Sequence, residues 1–260
     1  MINPYMNSLY KKIINQVIKS GKRIKGKSGK IIDIGVIKRY LTEEDIKIER
    51  ELKKKVEECF PGHCFYAEEE NNNFINAQDV WVADPISGTH VFICGMPHYG
   101  IVISHIHKGR VQFSAIYDPS MNDIYYAFRD KGAYINGKKI SINNGPPDKP
   151  RVILNLTLAW KNQTALKKLL IGLTEFEFYR VLGSHAINDS LVACGKYNGN
   201  VDLAKDSFPY FASSLMVNEA GGVFTNINGE RDIGPNDRIF IGGDKKTYNK
   251  LIKLAQESTE

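Results

Sequence analysis

Apolar residues recur at helical spacing in two segments near the start of the chain. In residues 8–25 they repeat every three to four positions, which predicts an amphipathic helix. In residues 48–56 they recur every fourth position behind the capping sequence Thr42-Glu-Glu-Asp45, which predicts a second helix. Residues 31–40 are predicted to form a short connection that favours β structure.

From residue 99 the apolar period changes to two, and β-branched and aromatic residues become frequent. This pattern predicts an antiparallel sheet that packs against the first two helices, with strands at residues 99–107, 111–117 and 123–128 and a hairpin at residues 132–137. Beyond residue 150 strands and helices alternate. Strands are predicted at residues 152–156, 176–181, 201–204 and 239–242, and helices at residues 163–171, 186–193, 210–220 and 248–256.

A stretch rich in proline and glycine at residues 145–150 interrupts these patterns. We expect it to divide one compact unit into an N-terminal α+β part, residues 1–146, and a C-terminal α/β part, residues 147–260. A chain of 260 residues is long enough to bury a core of this kind. The predicted fold class is therefore α/β, with layered helices and sheets.

Composition and charge restrict the class of protein. Apolar residues make up 42% of the chain and charged residues 25%, as in ordinary globular proteins, and no apolar run approaches the ~18 residues that span a bilayer. We therefore expect a cytoplasmic protein without a membrane partner. The four cysteines lack the spacing of a zinc site. The net charge of +6 comes from scattered lysines, so we expect no nucleic-acid partner and a preference for small anions.

The segment after the strand predicted at residues 80–83 carries the most distinctive chemistry. Asp84 lies where that strand ends, and Pro85 is expected to stop it. A carboxylate at the exit of a buried strand requires a cation, a salt bridge or backbone N–H groups. Gly88 and Thr89 then open a turn whose N–H groups can hold an anion. An ordinary Asp-Pro turn explains the segment equally well, so both interpretations remain open here.

Other polar residues are candidates for the same site. Asp45 lies on the inward face of the second helix, where it either completes a capping box or orients a water molecule. Residues 68–70 are three glutamates after a strand predicted at residues 63–67. Either all three lie in a solvated loop, or one of them turns inward and its carboxylate meets Asp84 around a cation. Ser184 precedes a predicted helix and is either an ordinary cap or part of a second anion site.

Four segments resemble those of one known family, and the resemblance extends over most of the chain. Residues 65–69 read Phe-Tyr-Ala-Glu-Glu, residues 84–89 Asp-Pro-Ile-Ser-Gly-Thr, residues 132–137 Gly-Ala-Tyr-Ile-Asn-Gly and residues 219–222 Glu-Ala-Gly-Gly. In this order they are similar to motifs of the inositol monophosphatase family, which are lithium-sensitive, magnesium-dependent phosphatases. The resemblance implies an alternating α-β-α-β-α sandwich. It leaves open whether the family's usual homodimer forms.

The resemblance also implies roles for individual residues. Glu68, Asp84 and the backbone carbonyl of Ile86 would hold one Mg²⁺ ion. Asp45 and Thr89 would orient the attacking water and, together with Glu68, are the candidate catalytic residues. A cofactor of one magnesium ion is therefore expected.

A small phosphorylated metabolite is the partner that the resemblance implies. The backbone N–H groups of Gly88 and Thr89 would hold its phosphate. By register, Asp202 falls where the family has an acidic ligand for a sugar hydroxyl, and His185 falls where the family has a small residue. The candidate substrate-binding residues are Ser87, Ser184, His185 and Asp202.

The chain departs from the family at the second metal ion. Ser87 stands in place of the second aspartate of the signature, and Phe208-Pro209 stands in place of a Trp-Asp pair. Two of three carboxylates are missing, so the second site is expected to be degenerate. Asp206, three residues before Pro209, is the remaining candidate to compensate.

Two functions are consistent with these residues. The main prediction, based on the usual activity of the family, is a magnesium-dependent phosphomonoesterase that acts on a small sugar or polyol phosphate. Its catalysis would be weak or altered, because the leaving oxygen lacks a stabilising ion. The alternative is a non-hydrolytic relative that binds, senses or transforms a phosphorylated metabolite with one retained metal site.

Overall fold

The computed structural model describes residues 7–36, 40–71, 73, 77–142, 150–156 and 163–259. Within these ranges the helices are α1 (Ser8–Lys25), α2 (Glu43–Cys59), α3 (Thr89–Ile93), α4 (Gln163–Leu173), α5 (His185–Ala193), α6 (Tyr210–Glu219) and α7 (Lys245–Thr259). The strands are β1 (Cys64–Ala67), β2 (Asp79–Ser87), β3 (Gly100–His107), β4 (Arg110–Asp118), β5 (Asp123–Phe128), β6 (Gly132–Ile135), β7 (Lys138–Ile140), β8 (Arg151–Leu156), β9 (Phe178–Arg180), β10 (Gly199–Leu203), β11 (Val223–Asn226) and β12 (Ile239–Gly243).

Strands β1 to β7 form one sheet in which the strand order follows the chain order. β1 and β2 are parallel, and each later neighbouring pair is antiparallel. Lys108 and Gly109, between β3 and β4, both adopt positive φ angles, of 50° and 75°, as a tight hairpin turn requires. The antiparallel sheet predicted from the two-residue period is therefore confirmed.

The remaining strands form a second sheet in the order β11-β12-β10-β8-β9. β8 pairs in parallel with both β9 and β10, and β12 is antiparallel to β10 and β11. The alternation of strand and helix beyond residue 150 explains the parallel part, because a parallel connection needs a crossover, here supplied by α4 and α5.

Alternating side chains of β2 face opposite sides of the first sheet. Trp81 and Ala83 pack with the apolar faces of α1 and α2, whereas Val80 and Val82 pack with α5 and α6. Because successive strand residues point to opposite faces, this one strand contributes to two cores.

The helices between the sheets, α5 and α6, contact both sheets. The outer helices, α1 and α2 on one side and α4 and α7 on the other, each lie on one sheet. α6 is buried at every position from Tyr210 to Val217, as expected of a helix enclosed on all sides. α4 and α7 cover the outer face of the second sheet, where Leu169 and Leu251 pack with Val201. The layers are α1/α2, first sheet, α5/α6, second sheet and α4/α7, which confirms the predicted α-β-α-β-α sandwich.

Strand β2 does not stop at Pro85, contrary to the sequence-based expectation. It continues to Ser87, and its pairing with β3 changes register between Asp84 and Ser87. Proline has no N–H group for the sheet and is tolerated at such an irregularity. The signature segment is therefore carried by the sheet up to the turn at Gly88.

Two further expectations differ from the structure. Residues 31–36 and 40 form no strand. Strand β11 was not predicted, because its four residues are too few to establish a period of two.

The predicted boundary at residues 145–150 lies outside the described residues, apart from Pro150. Among the described helices, none has the length and apolarity needed to cross a membrane.

Gly21 offers a test of how closely α1 packs on the first sheet. A Cβ atom at Gly21 would lie 2.2 Å from Cδ1 of Tyr117, which is 2% exposed and donates a hydrogen bond to Asn122. We expect Gly21→Ala to lower the free energy of unfolding by about 1–3 kcal/mol, because the buried ring has little room to move. Urea unfolding measures this.

Gly26 supplies the matched control at the end of the same helix. It has a right-handed helical conformation, and a Cβ atom there would meet nothing within 4 Å. Gly26→Ala should leave stability unchanged or raise it slightly. Equal effects of the two substitutions would contradict the packing described here.

Candidate functional site

The parallel pairing of β1 and β2 brings two acidic residues, Glu68 and Asp84, to the C-terminal ends of these strands, and we call this end of the first sheet the acidic edge. Ala67 pairs with Ala83 at the end of β1, so Glu68 and Asp84 follow at neighbouring positions. The Glu68 side chain is 12% exposed, and Asp84 is 4% exposed. Two shielded carboxylates at one edge require positive charge or hydrogen-bond donors nearby.

A lysine supplies positive charge at this edge. Nζ of Lys205 lies 2.8 Å from Oε1 of Glu68 and 3.7 Å from Oδ2 of Asp206. Partial burial lowers the pKa of Lys205, but the attraction of Glu68, Asp206 and Asp84 outweighs burial and raises that pKa above its ordinary value. The ammonium group is therefore charged at neutral pH and lies within the field of three carboxylates.

Asp45 connects α2 to the turn after β2. Its Oδ1 lies 3.0 Å from the hydroxyl of Thr89, and the same hydroxyl lies 2.8 Å from the carbonyl oxygen of Ile86. Its Oδ2 accepts hydrogen bonds from the backbone N–H and the hydroxyl of Thr42, at 2.8 and 2.5 Å. Asp45 thus completes the capping box of α2 and also contacts Thr89. The two roles considered from the sequence, helix cap and carboxylate that orients a water molecule, are therefore compatible.

The environment of Asp45 raises its pKa above the ordinary value of an aspartate. Burial raises the pKa of Asp45 to about 6, against the hydrogen bonds from Thr42 and Thr89, and the charge of Glu68 raises it further. Asp45, Glu68 and Thr89 are therefore coupled by contact or charge. A carboxylate with a pKa near 6 and one oxygen beside a hydroxyl can exchange a proton near neutral pH.

Glu49 holds the acidic loop in place, although sequence reasoning did not identify it. It is completely buried, and its carboxylate accepts hydrogen bonds of 2.9 Å from the backbone N–H groups of Glu69, Glu70 and Asn71. These donors compensate the buried charge. Glu49 lies four residues after Asp45, so the helical spacing that turns Asp45 inward was the available signal.

The two candidate anion-binding turns lie against each other. Gly88 has a φ of 89°, and a Cβ atom there would lie 3.1 Å from Cβ of Ser184 and 3.2 Å from the carbonyl oxygen of His98. The N–H of Ser184 donates to that carbonyl at 2.8 Å, and its hydroxyl donates to Oγ of Ser87 at 2.9 Å. Ser184 also caps α5. The structure therefore brings the signature turn and the start of α5 together.

Asp202 lies elsewhere, in a buried polar network between β10 and α5. It has no exposed surface and accepts hydrogen bonds from Asn155 and Asn200. Burial raises the pKa of Asp202 well above its ordinary value, and repulsion from Asp189 adds to the rise. Its assignment as a ligand for a sugar hydroxyl stays a prediction.

His185 lies closer to the acidic edge. Its ring is hydrogen-bonded to the hydroxyl of the buried Tyr210. Burial lowers the pKa of His185 to about 4, and repulsion from Lys205 contributes, so the imidazole is neutral at pH 7. Sequence reasoning missed Lys205 because nothing distinguishes it among the 35 lysines and arginines of the chain.

The donor set fits magnesium only in part. The oxygens of Glu68, Asp84 and Ile86 are the type of ligand that magnesium prefers. However, the ammonium group of Lys205 pairs with Glu68 and repels magnesium. The first magnesium ion therefore fits only when the ammonium group moves away. For a second ion, the hydroxyl of Ser87 already accepts from Ser184, and Pro209 has no side-chain ligand atom. Asp206, the candidate to compensate, has Oδ2 3.7 Å from Nζ of Lys205, and the degenerate second metal site stays a prediction.

Curated relatives point to an unexpected context. Nus factor SuhB of Escherichia coli is 27% identical over 226 residues, which cover 85% of this chain and 84% of that protein. Nus factor SuhB of Salmonella typhimurium is 28% identical with the same coverage. Nus factors are named for a part in transcription. The prediction that excluded a nucleic-acid partner is therefore wrong.

Solved structures and a family comparison agree with the fold. An IMPase from Thermotoga maritima superposes with a TM-score of 0.85 at 24% identity and 98% coverage of both chains. The suhB protein of Bartonella henselae superposes with a TM-score of 0.87 at 22% identity, covering 96% of this chain and 99% of that one. The sequence model of the inositol monophosphatase family matches residues 8–260. This protein belongs to the inositol monophosphatase family.

Proposed function

We propose that the chain binds a small phosphorylated metabolite, of the sugar or polyol phosphate class, and hydrolyses it slowly or not at all. The observation that carries this proposal is the ion pair between Lys205 and Glu68. It puts an organic cation on a carboxylate that would otherwise ligate magnesium. Of the two functions considered from the sequence, this proposal follows the alternative, binding without efficient hydrolysis, but it assigns the positive charge to Lys205 and not to one retained metal ion.

An ammonium group attracts phosphate but does not take over the catalytic work of a divalent ion. A metal ion lowers the pKa of a bound water to near 7, which a lysine cannot do because it has no coordination site. Ser87 and Pro209 also provide no carboxylates for an ion that would stabilise the leaving oxygen. The absence of one such stabiliser typically costs on the order of a hundredfold in rate.

Three features support anion binding at this edge. The Lys205 side chain is 49% exposed, so a ligand can reach the ammonium while Glu68 holds it. Gly88 and Thr89 begin the short helix α3 and offer backbone N–H groups. The paired hydroxyls of Ser87 and Ser184 lie against the same turn. A phosphate group is recognised by such a combination of fixed charge, N–H and hydroxyl donors.

Lys205→Ala tests whether the ammonium binds the ligand. In the presence of a chelator, the unmodified protein should bind inositol monophosphate, and the variant should bind it at least about tenfold more weakly, because a charge-assisted hydrogen bond is lost. The same variant should bind Mn²⁺ more tightly than the unmodified protein, because Glu68 is released. Isothermal titration calorimetry measures both affinities.

Lys246→Ala is the matched control, since Lys246 is an exposed lysine at the start of α7. It should change neither affinity. If phosphate binding required magnesium and was indifferent to Lys205→Ala, the chain would follow the family's usual metal-dependent binding and the proposal would fail.

Restoring the missing carboxylates tests why hydrolysis is slow. Ser87→Asp combined with Pro209→Asp and Lys205→Ala should raise magnesium-dependent hydrolysis of inositol monophosphate about a hundredfold or more over Lys205→Ala alone. Ser87→Asn with Pro209→Asn in the same background changes shape without adding charge and should give no gain. Release of inorganic phosphate is the measurement. An unmodified protein that already hydrolyses as fast as the restored variant contradicts the proposal.

The names of the curated relatives support a second function, in transcription. Relatives called Nus factors align with 85% of this chain, and the chain carries a net charge of +6. A basic protein binds nucleic acid through phosphate contacts that weaken as salt rises. This function does not depend on hydrolysis and is compatible with a site that only binds.

Fluorescence anisotropy with labelled single-stranded RNA tests this second function. We expect binding that weakens steeply with salt, since released counterions drive it. Lys205→Ala should leave RNA affinity unchanged if RNA binds away from the acidic edge. Lack of RNA binding even at low salt would count against a direct role of this chain on nucleic acid.

A further inference from the structure

A second group of metal-type ligands lies at the opposite end of the strands that carry Glu68 and Asp84. His63 precedes β1, Asp79 begins β2, and His105 lies on β3. In the sheet, His105 pairs with Trp81, and Cys64, which follows His63, pairs with Val80. Glu68 lies five residue steps along nearly extended chain from His63, or about 16 Å. This group is therefore distinct from the acidic edge.

The three side chains converge. His63, Asp79 and His105 each offer one ligand atom, and these atoms lie within 4.8 Å of one another. Nε2 of His105 is 3.1 Å from Oδ1 of Asp79. A tetrahedral ion with bonds of about 2.0–2.1 Å needs ligand atoms about 3.3 Å apart. The pair of Asp79 and His105 already meets this spacing, and the ligand atom of His63 lies within 4.8 Å of both.

The hydrogen bonds keep His105 in a form that can bind metal. The hydroxyl of Tyr10 lies 2.8 Å from Nδ1 of His105 and can donate or accept a hydrogen bond there, according to the tautomer of the ring. If an ion binds Nε2 of His105, the single ring proton would move to Nδ1 and be donated to the hydroxyl oxygen of Tyr10, so the imidazole stays neutral.

Aromatic rings hold the group in position. The ring of His105 stacks on Trp81 at 4.8 Å and on His63 at 5.1 Å between centroids. The indole N–H of Trp81 donates to Nδ1 of His63 at 3.2 Å. Asp79 keeps 21% of its side chain exposed and also accepts from His107, so an ion in water can reach the group. Packing fixes two of the rings before any ion arrives.

We propose that His63, Asp79 and His105 form a binding site for a zinc-class divalent ion, completed by water or by His107. Two imidazoles and one carboxylate are ligands that suit zinc and its neighbours, whereas magnesium prefers oxygen ligands alone. The bound ion joins the turn between α2 and β1, through His63, to strands β2 and β3. Its role is to stabilise this edge of the fold.

Zinc titration of the full chain tests the site, with Tm and tryptophan fluorescence as readouts. Zinc should raise Tm, because the ion binds only the folded protein, and magnesium at the same concentration should not. In a Trp160→Phe background the emission comes from Trp81 alone, and it should change as zinc displaces or redirects its hydrogen bond to His63. Asp79→Asn and His63→Gln should each weaken zinc binding about 10–100-fold.

Two controls keep the outcome interpretable. His90→Ala removes a histidine outside the group and should leave the zinc response intact. Asp79→Asn preserves size, so it tests the ligand without requiring the buried His105 to be replaced. Zinc that shifts Tm equally in the unmodified protein, Asp79→Asn and His63→Gln would overturn the proposal, as would a Trp81 emission unaffected by zinc.

Discussion

The function of this fold depends on what compensates the carboxylates at the exit of β1 and β2. Glu68 and Asp84 are forced together by the parallel register of their strands, and a shielded pair of acids is costly without a cation. Lys205 provides that cation from the loop after β10. Because the lysine belongs to the chain, its charge is present in every copy of the protein, whatever the concentration of magnesium.

Most of the fold was predictable from the sequence because its signals are local. The periods of α1, α2 and β3 to β5 extend over enough residues to be read directly, and the alternation after residue 150 indicated the second sheet. β11 was too short for such a signal. The strand end predicted at Pro85 was wrong for a related reason. The local rule that proline ends a strand placed the stop there, whereas pairing with β3 extends β2 to Ser87.

The candidate site was predictable only where residues close in sequence build it. Asp45, with Thr42, and the turn at Gly88 follow from spacing and turn chemistry. Lys205 meets Glu68 across 137 residues of chain, and nothing in its neighbourhood marks it. Glu49 carried a helical signal, but its partners are backbone N–H groups, which every sequence possesses. Contacts of this kind follow from tertiary structure alone.

The contact between Gly88 and Ser184 makes the signature turn a shared component of the two halves of the molecule. The turn hangs from the first sheet, while Ser184 starts the helix that lies on the second. The two elements pack closely, since a Cβ atom at Gly88 would lie only 3.1 Å from Cβ of Ser184. Gly88 and Ser184 are consequently constrained as a pair: a larger side chain at either position would displace the element that carries the other, so both positions accept only small residues.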